Sequence, residues 1–233
     1  MGTRGRKRNM RKLTALLLTM MLALCLTACA GNDTKKLAGT WTYSADITSR
    51  MNEEIKAALE LDEVSPDAAA AVYLTFTVAQ DGAYTLALDT DAIEADRAAY
   101  MEALKPVLTE ALYSQAEADG YTREQYDKAL ESMGMTADEC VAAITDAFDM
   151  DTFLSLLGSG YADNTISAGY CKAEEGRLYF SSTTAFDEAD FVGYTLAGDI
   201  MTWTDEDGAL AGQLAPAEQV LMQFPAEWTK AAA

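Results

Sequence analysis

The chain has 233 residues, 17 of them basic and 37 acidic, and it contains no histidine. Without histidine, Ser-His-Asp and Cys-His nucleophile systems are excluded, as is any zinc site that needs a histidine ligand. A formal net charge of −20 also excludes a binder of nucleic-acid phosphates, which needs positive charge. No nucleophile elbow, phosphate loop or zinc signature is present. We therefore expect no enzymatic activity, catalytic residue, metal, cofactor or nucleic-acid partner.

The first 28 residues have the pattern of a secretory signal. Residues 4–12 hold six basic side chains and no acid, and an apolar run follows over 13–26. That run has 14 residues, whereas a bilayer span takes about 20. A basic start, a short apolar run and small residues after it predict a signal peptide over 1–28. An uncleaved membrane helix, or an ordinary signal with an incidental cysteine, is the alternative.

Leu26-Thr27-Ala28-Cys29 resembles the lipobox of bacterial lipoproteins. The resemblance implies cleavage before Cys29, diacylation of its sulfur with fatty acids such as palmitate, and a position at the outer face of the cell membrane. Cys25 fits less well, because Leu24 precedes it where the family has a small residue. Two acyl chains anchor a protein stably, whereas one anchors it only marginally. With the signal removed, 11 basic and 37 acidic residues give the mature chain a formal charge of −26.

Alternating apolar and polar residues predict a β-rich domain over 37–226, after a tether at 29–36. Hairpin signals separate several of the strands, the clearest being Asp81-Gly82. A short helix is predicted over 51–61. Pro225 is predicted to end the last strand, leaving 227–233 as a tail. The eight predicted strands are 39–46, 71–79, 83–89, 166–172, 177–182, 190–196, 199–204 and 219–225.

Residues 91–160 have helical periodicity and form an acidic insertion between the third and fourth strands. They contain 15 acidic and four basic residues, which the pattern places mainly on solvated faces. Thr122 with Gln125, and Thr136 with Glu139, fit capping boxes. Pro106 is expected to kink or split the first of these helices.

The strand order resembles that of lipocalins. The motifs that carry the resemblance are Gly39-Thr40-Trp41, Asp81-Gly82-Ala83-Tyr84, Gly176-Arg177-Leu178-Tyr179 and Gly198-Asp199-Ile200-Met201-Thr202-Trp203. The resemblance implies a mainly β fold with a helical insertion (α+β), namely a lipocalin-like up-and-down antiparallel barrel. Small lipoproteins of Gram-positive gut bacteria show this arrangement with an acidic helical insertion. Lipocalins pack a late-strand arginine over the first-strand tryptophan; here no arginine follows Arg177, and Lys230 falls beyond the predicted last strand.

Three hypotheses for function follow, the third being a weak calcium-dependent envelope protein. In the first, the barrel of a monomer binds a small apolar ligand, with Trp41 closing the base. In the second, side chains fill the barrel, as they do in small barrels, and the acidic insertion binds an envelope protein or the cell wall. Trp203 and Trp228 are interpreted as ordinary strand or tail residues. The residues predicted to line a ligand site are Trp41, Phe76, Tyr84, Leu86, Phe180, Tyr194 and Met222.

Two further patterns admit structural explanations. Cys140 and Cys171 could form a disulfide, but their apolar surroundings favour two buried thiols. Two acidic stretches resemble parts of calcium loops but lack a complete ligand set, and a turn and a helix cap explain them. These stretches are Asp205, Asp207 and Gly208, and Asp89, Asp91 and Glu94.

Overall fold

A computed structural model of the chain describes residues 33–150, 152–153, 164–205 and 221–232. Eight antiparallel strands close into a barrel in chain order, which confirms the predicted up-and-down architecture. The strands are β1 (Gly39–Asp46), β2 (Ala71–Val78), β3 (Ala83–Leu88), β4 (Thr165–Glu174), β5 (Arg177–Ser181), β6 (Phe191–Ala197), β7 (Ile200–Thr204) and β8 (Ala226–Lys230).

Five helices accompany the strands in the described ranges. They are α1 (Thr34–Leu37), α2 (Thr48–Leu59), α3 (Thr90–Ala118), α4 (Arg123–Ser132) and α5 (Ala137–Asp146). The last three lie between β3 and β4, as predicted, and we call them the helical block. Within the described part of the chain, no helix is long and apolar enough to cross a bilayer.

In the register of the strands, every second side chain points into the barrel. Trp41 of β1 is opposite Phe76 of β2, and both are fully buried, while their neighbours Thr40 and Thr77 lie on the outer face. The same alternation continues around the barrel and ends with Trp41 opposite Lys230 of β8. Period-two alternation in the sequence therefore places one continuous core inside the barrel.

The two ends of the barrel are built differently. The tight turns before β3, β5 and β7 all lie at one end, together with α1 and the end of β8. We call this the lower end and define it as residues 33–39, 79–82, 172–177, 197–200 and 229–232. The long connections that follow β1, β3, β5 and β7 all leave from the opposite, upper end.

The predicted tether is shorter than expected. Residues 33–36, assigned to it from their polarity, begin with a capping residue and continue into α1. Asp33 donates its backbone N–H to the Ala173 carbonyl at 2.8 Å, and Thr34 Oγ1 accepts the Ala173 N–H at 3.0 Å. Both side chains are buried, because α1 packs across the lower end of the core with Leu37 inward.

The predicted position of the last strand is wrong. Strand β8 begins after Pro225, where the sequence favoured a tail, and it pairs with β7 from Ala226 to Thr229. Residues 219–220 of the predicted strand lie outside the described residues. Alternation occurs on both sides of Pro225, and Trp228, which is fully buried, is the larger apolar anchor. Lys230 consequently lies within the last strand rather than beyond it.

The helical block confirms both predicted capping boxes, at Thr122 and at Thr136. Of the kink or split expected at Pro106, the split is wrong, because α3 runs unbroken over its 29 residues with Pro106 inside it. The buried side chains of Tyr100, Leu104 and Leu108 hold both halves of α3 against the core. Tertiary packing here outweighs the local cost of an interior proline.

Candidate functional site

Aromatic rings occupy the middle of the barrel. Phe76 lies 5.8 Å from Tyr84 and 5.1 Å from Trp203, measured between ring centroids. Phe180 lies 5.1 Å from Tyr84 and 5.5 Å from Trp203, and Trp203 lies 4.6 Å from Trp228. These separations and the mostly tilted or edge-on contacts are those of stabilising aromatic pairs. The rings therefore contact one another where a ligand was predicted to lie.

The seven predicted ligand residues belong to one hydrophobic core but do not surround one pocket. Phe76, Tyr84 and Phe180 lie together in the middle, with Leu86 beside Phe76 in the β2–β3 register. Trp41 and Tyr194 lie toward the lower end, where the Tyr194 hydroxyl donates to Asp33 Oδ2 at 3.3 Å. Met222 is buried near the upper end of β8.

Sequence reasoning missed the two largest members of the aromatic cluster. Trp203 alternates with Met201 in β7, and this alternation could have placed it inside the barrel. Trp228 carried no such signal once the last strand was placed before Pro225. Tyr43, also buried, lies 5.2 Å from Trp228 and contacts the chain before β8, because its hydroxyl accepts the Gln223 backbone N–H at 2.9 Å.

Trp41 closes the lower end with two polar contacts. Its indole N–H donates to the Leu37 carbonyl of α1 at 2.7 Å. The ammonium group of Lys230 lies 5.1 Å from the centroid of the Trp41 ring, within the range of a cation–π interaction. Lysine thus occupies the place for which the lipocalin resemblance implied an arginine.

Other titratable groups in the interior are held neutral. Tyr84 shares a 2.8 Å hydrogen bond with Ser167, and burial raises the pKa of its phenol. Burial raises the pKa of the Cys171 thiol to about 12, so this cysteine is not a nucleophile near neutral pH. Cys171 and Cys140 are both free, so the alternative of a disulfide between them is not realised.

Two buried donors in the aromatic cluster have no hydrogen-bond acceptor in the described structure. They are the indole N–H groups of Trp203 and Trp228. A buried donor without an acceptor costs about 1–3 kcal/mol. A polar atom of a bound molecule would be able to accept a hydrogen bond from either indole N–H.

An external cleft of about 500 Å³ opens where the barrel closes on itself. Strand β1 pairs with β2 along all eight of its residues, but with β8 only at Trp41 and Thr42. Above these rungs the two strands separate. The lining is largely polar and includes Ser44, Asp46, Tyr73, Gln223, Glu227 and Thr229.

The helical block carries a charged groove of about 340 Å³ between α3 and α5. Arg97 forms a double hydrogen bond with Glu94, at 2.7 and 2.6 Å, and donates to the Phe148 carbonyl at 2.7 Å. Beside it, Lys105 pairs with Glu102 at 2.5 Å.

On the exposed faces of the block, Arg123 pairs with Glu110 and Glu117, and Lys128 pairs with Glu124. Acidic residues still outnumber basic ones in the block, so its net charge is negative.

The loops of the helical block expose large apolar side chains. Met133 is 66% and Met135 39% exposed in the loop between α4 and α5, and Tyr121 is 53% exposed in the preceding loop. Among the described residues, one other large hydrophobic side chain has comparable exposure, namely Ile200 at the lower end.

Two residues of the acidic stretches that resembled calcium loops have structural roles. Asp89 caps α3 by accepting the Ala92 N–H at 3.2 Å, and Glu94 is paired with Arg97. Asp207 and Gly208 lie outside the described residues. In the part of the chain that the structure covers, no group of three carboxylate or cysteine side chains is arranged to hold a metal ion.

Comparisons with known proteins add no relative: no family model, no curated protein and no solved structure matches the chain. Cys29, the residue predicted to carry the lipid, lies outside the described residues.

Proposed function

We propose that the protein is an extracytoplasmic lipoprotein, held at the outer face of the cell membrane by acyl chains on Cys29, whose barrel is a solid support for an interaction module. In this proposal the helical block binds a protein or cell-wall partner. The observation that supports it is the occupied interior, in which Phe76, Phe180, Trp203 and Trp228 contact one another. A filled interior favours a function on the outside.

The composition of the helical block supports a partner with an apolar pocket and a basic rim. The exposed side chains of Met133, Met135 and Tyr121 give an apolar contact, and methionine adapts to irregular surfaces. The surrounding acids give the block a negative charge, which complements a basic surface and repels anionic lipid headgroups.

Crosslinking on intact cells tests this function. Partners captured by the wild-type protein are compared with those of Met133→Ser/Met135→Ser, and Ile200→Ser provides a matched loss of an exposed apolar side chain far from the block. We expect the double variant to lose a partner that the wild type and Ile200→Ser both retain, with unchanged melting temperatures. The same partners in all three proteins would contradict the proposal.

A second candidate function, binding of a small molecule in the barrel, is favoured by the unpaired indole groups of Trp203 and Trp228. Titration of the protein with an apolar molecule that carries one carbonyl oxygen tests it by nuclear magnetic resonance. Binding between the rings would shift the indole N–H signals of Trp203 and Trp228. The Trp41 indole is an internal control, because it already donates to Leu37. Unshifted signals at saturating ligand would exclude this candidate.

A further inference from the structure

The lower end of the barrel differs in charge from the rest of the molecule. Its residues include five basic side chains, Lys35, Lys36, Lys172, Arg177 and Lys230, and five acidic ones, Asp33, Asp81, Glu174, Glu175 and Asp199. The lower end is therefore formally neutral. The whole charge of −26 expected for the mature chain belongs to the remaining residues.

The chain enters the barrel at this same end. Asp33 is fixed there by its backbone bond to Ala173, and its carboxylate pairs with Lys36 at 2.6 Å. Asp33 is the fourth residue after Cys29, so three residues lie between them in the sequence. Even a fully extended chain of that length reaches only about 14 Å, so a lipid on Cys29 cannot lie far from the lower end.

We propose that the lower end rests on the membrane surface in which the acyl chains of Cys29 are embedded. This inference depends on the lipid anchor in the proposed function and adds the orientation of the barrel and the surface that contacts lipid headgroups. A body with strong negative charge is repelled by anionic lipids within about 10 Å, the Debye length at 0.1 M salt. With so short a tether, the neutral end is the one that can approach the membrane.

Two kinds of side chain fit this surface to a lipid headgroup layer. Lys35, Arg177 and Lys230 supply positive charge beside the point where the chain enters the barrel, and basic groups near the membrane are attracted to anionic lipids. Ile200 supplies an apolar side chain, 42% exposed at the start of β7 next to the tight turn. A mixed basic and apolar contact is typical of surfaces that lie at the membrane interface.

The consequence for function is the placement of the upper end. All long connections, including the helical block, leave from the end opposite to the tether. With the lower end on the membrane, the helical block is attached at the end of the barrel that faces away from the lipid.

Fluorescence quenching on vesicles tests the orientation. The full chain is expressed with its signal, purified as the lipoprotein, and reconstituted in phosphatidylcholine–phosphatidylglycerol vesicles that contain a headgroup-nitroxide lipid. An environment-sensitive label is attached at Ile200→Cys, or at Met133→Cys as the matched exposed position in the helical block. Both variants carry Cys140→Ser, while the buried Cys171 is retained. We expect the headgroup nitroxide to quench the label at position 200 at least about twofold more strongly than the label at 133.

Charge reversal then tests the cause of the orientation. Lys35→Glu/Arg177→Glu should lower the ratio of quenching at 200 to quenching at 133. Lys56→Glu/Lys128→Glu, which makes the same charge change at the upper end and in the helical block, should leave the ratio unchanged or raise it. Equal quenching at both positions, or stronger quenching at 133, would overturn the proposal. A label at position 200 that is shielded from water but not quenched by the nitroxide lipid would also overturn the proposal, because it would show a contact with protein rather than lipid.

The mass of the mature protein separates the two proposals. A lipidated protein with equal quenching at both positions would refute the orientation and leave the anchor intact. A protein without acyl chains on Cys29 would refute the anchor, and the orientation that depends on it.

Discussion

At the scale of single residues, Lys230 is the position where the structure changes the interpretation of the sequence most. Its ammonium group lies 5.1 Å from the Trp41 ring centroid, between the first and last strands. Cation–π contacts contribute about 0.5–1 kcal/mol at exposed sites and more where they are desolvated.

Substitution of Lys230 should therefore weaken barrel closure. Lys230→Met keeps an unbranched side chain but removes the charge, and we expect it to lower the free energy of unfolding by about 0.5–1 kcal/mol in a denaturant titration. Lys230→Arg keeps both charge and stacking and should stay close to wild type. Equal loss in the two variants would show that packing, and not the cation, is what matters.

Two buried groups with large pKa shifts contribute to the response of the protein to alkaline pH. Burial raises the pKa of Cys171 and of the Tyr100 phenol, each to about 12, from unfolded values near 9 and 10. Each group is charged when deprotonated, so above its ordinary pKa the unfolded chain loses the proton first. The stability that these groups contribute is constant below about pH 8 and is lost between pH 9 and 12, by at most about 1.4 kcal/mol per pH unit for each group.

Denaturant titrations between pH 7 and 12 check this prediction. The free energy of unfolding of Cys171→Ala should fall less steeply above pH 9 than that of the wild type, although it starts lower at pH 7 because of the cavity. Parallel curves for the two proteins over the whole range would contradict the assignment.

At the scale of elements, the capping boxes of the helical block are a local device that the sequence predicts well. Thr122 and Thr136 each accept a backbone N–H three residues ahead, and the side chain of Gln125 or Glu139 bonds back to the threonine N–H. Both motifs are recognisable because every partner lies within four residues.

Loss of a cap should destabilise α5 locally. We expect Thr136→Ala to cost about 1 kcal/mol, while Thr136→Ser, which keeps the accepting oxygen, should cost less. Hydrogen exchange of the first amides of α5 measures the effect directly. Unchanged exchange in Thr136→Ala would mean that packing of Val141 against the core holds the helix end by itself.

Elements defined by distant contacts were harder to predict. Strands β1 to β7 follow from alternation and from glycine turns such as Gly82, which has a φ of 89° and lies against the Cys171 carbonyl. Strand β8 could not be predicted in this way, because alternating stretches lie on both sides of Pro225. Only its pairing with β7 shows that the stretch after Pro225 is the strand. Helix α1 was also missed, since it has only four residues and its first, Thr34, is held by Ala173, 139 positions away.

At the scale of the whole molecule, the barrel separates two kinds of surface. The lower end combines tight turns, the entry of the chain and balanced charge, and the upper end combines the long connections and the acidic helical block. The sequence shows the excess of acid but not its distribution, because the segments that form the lower end are spread between residues 33 and 232 and come together only when the barrel closes.

The central claim is that the barrel is a filled support and that its function lies on its outer surface. Native mass spectrometry of residues 31–233 purified from cells, followed by titration with an apolar fluorescent dye, tests this claim most directly. We predict a single species at the mass of the polypeptide and no saturable dye binding. A co-purified molecule, or stoichiometric dye binding that Trp203→Phe weakens, would contradict the claim and return the function to the barrel interior.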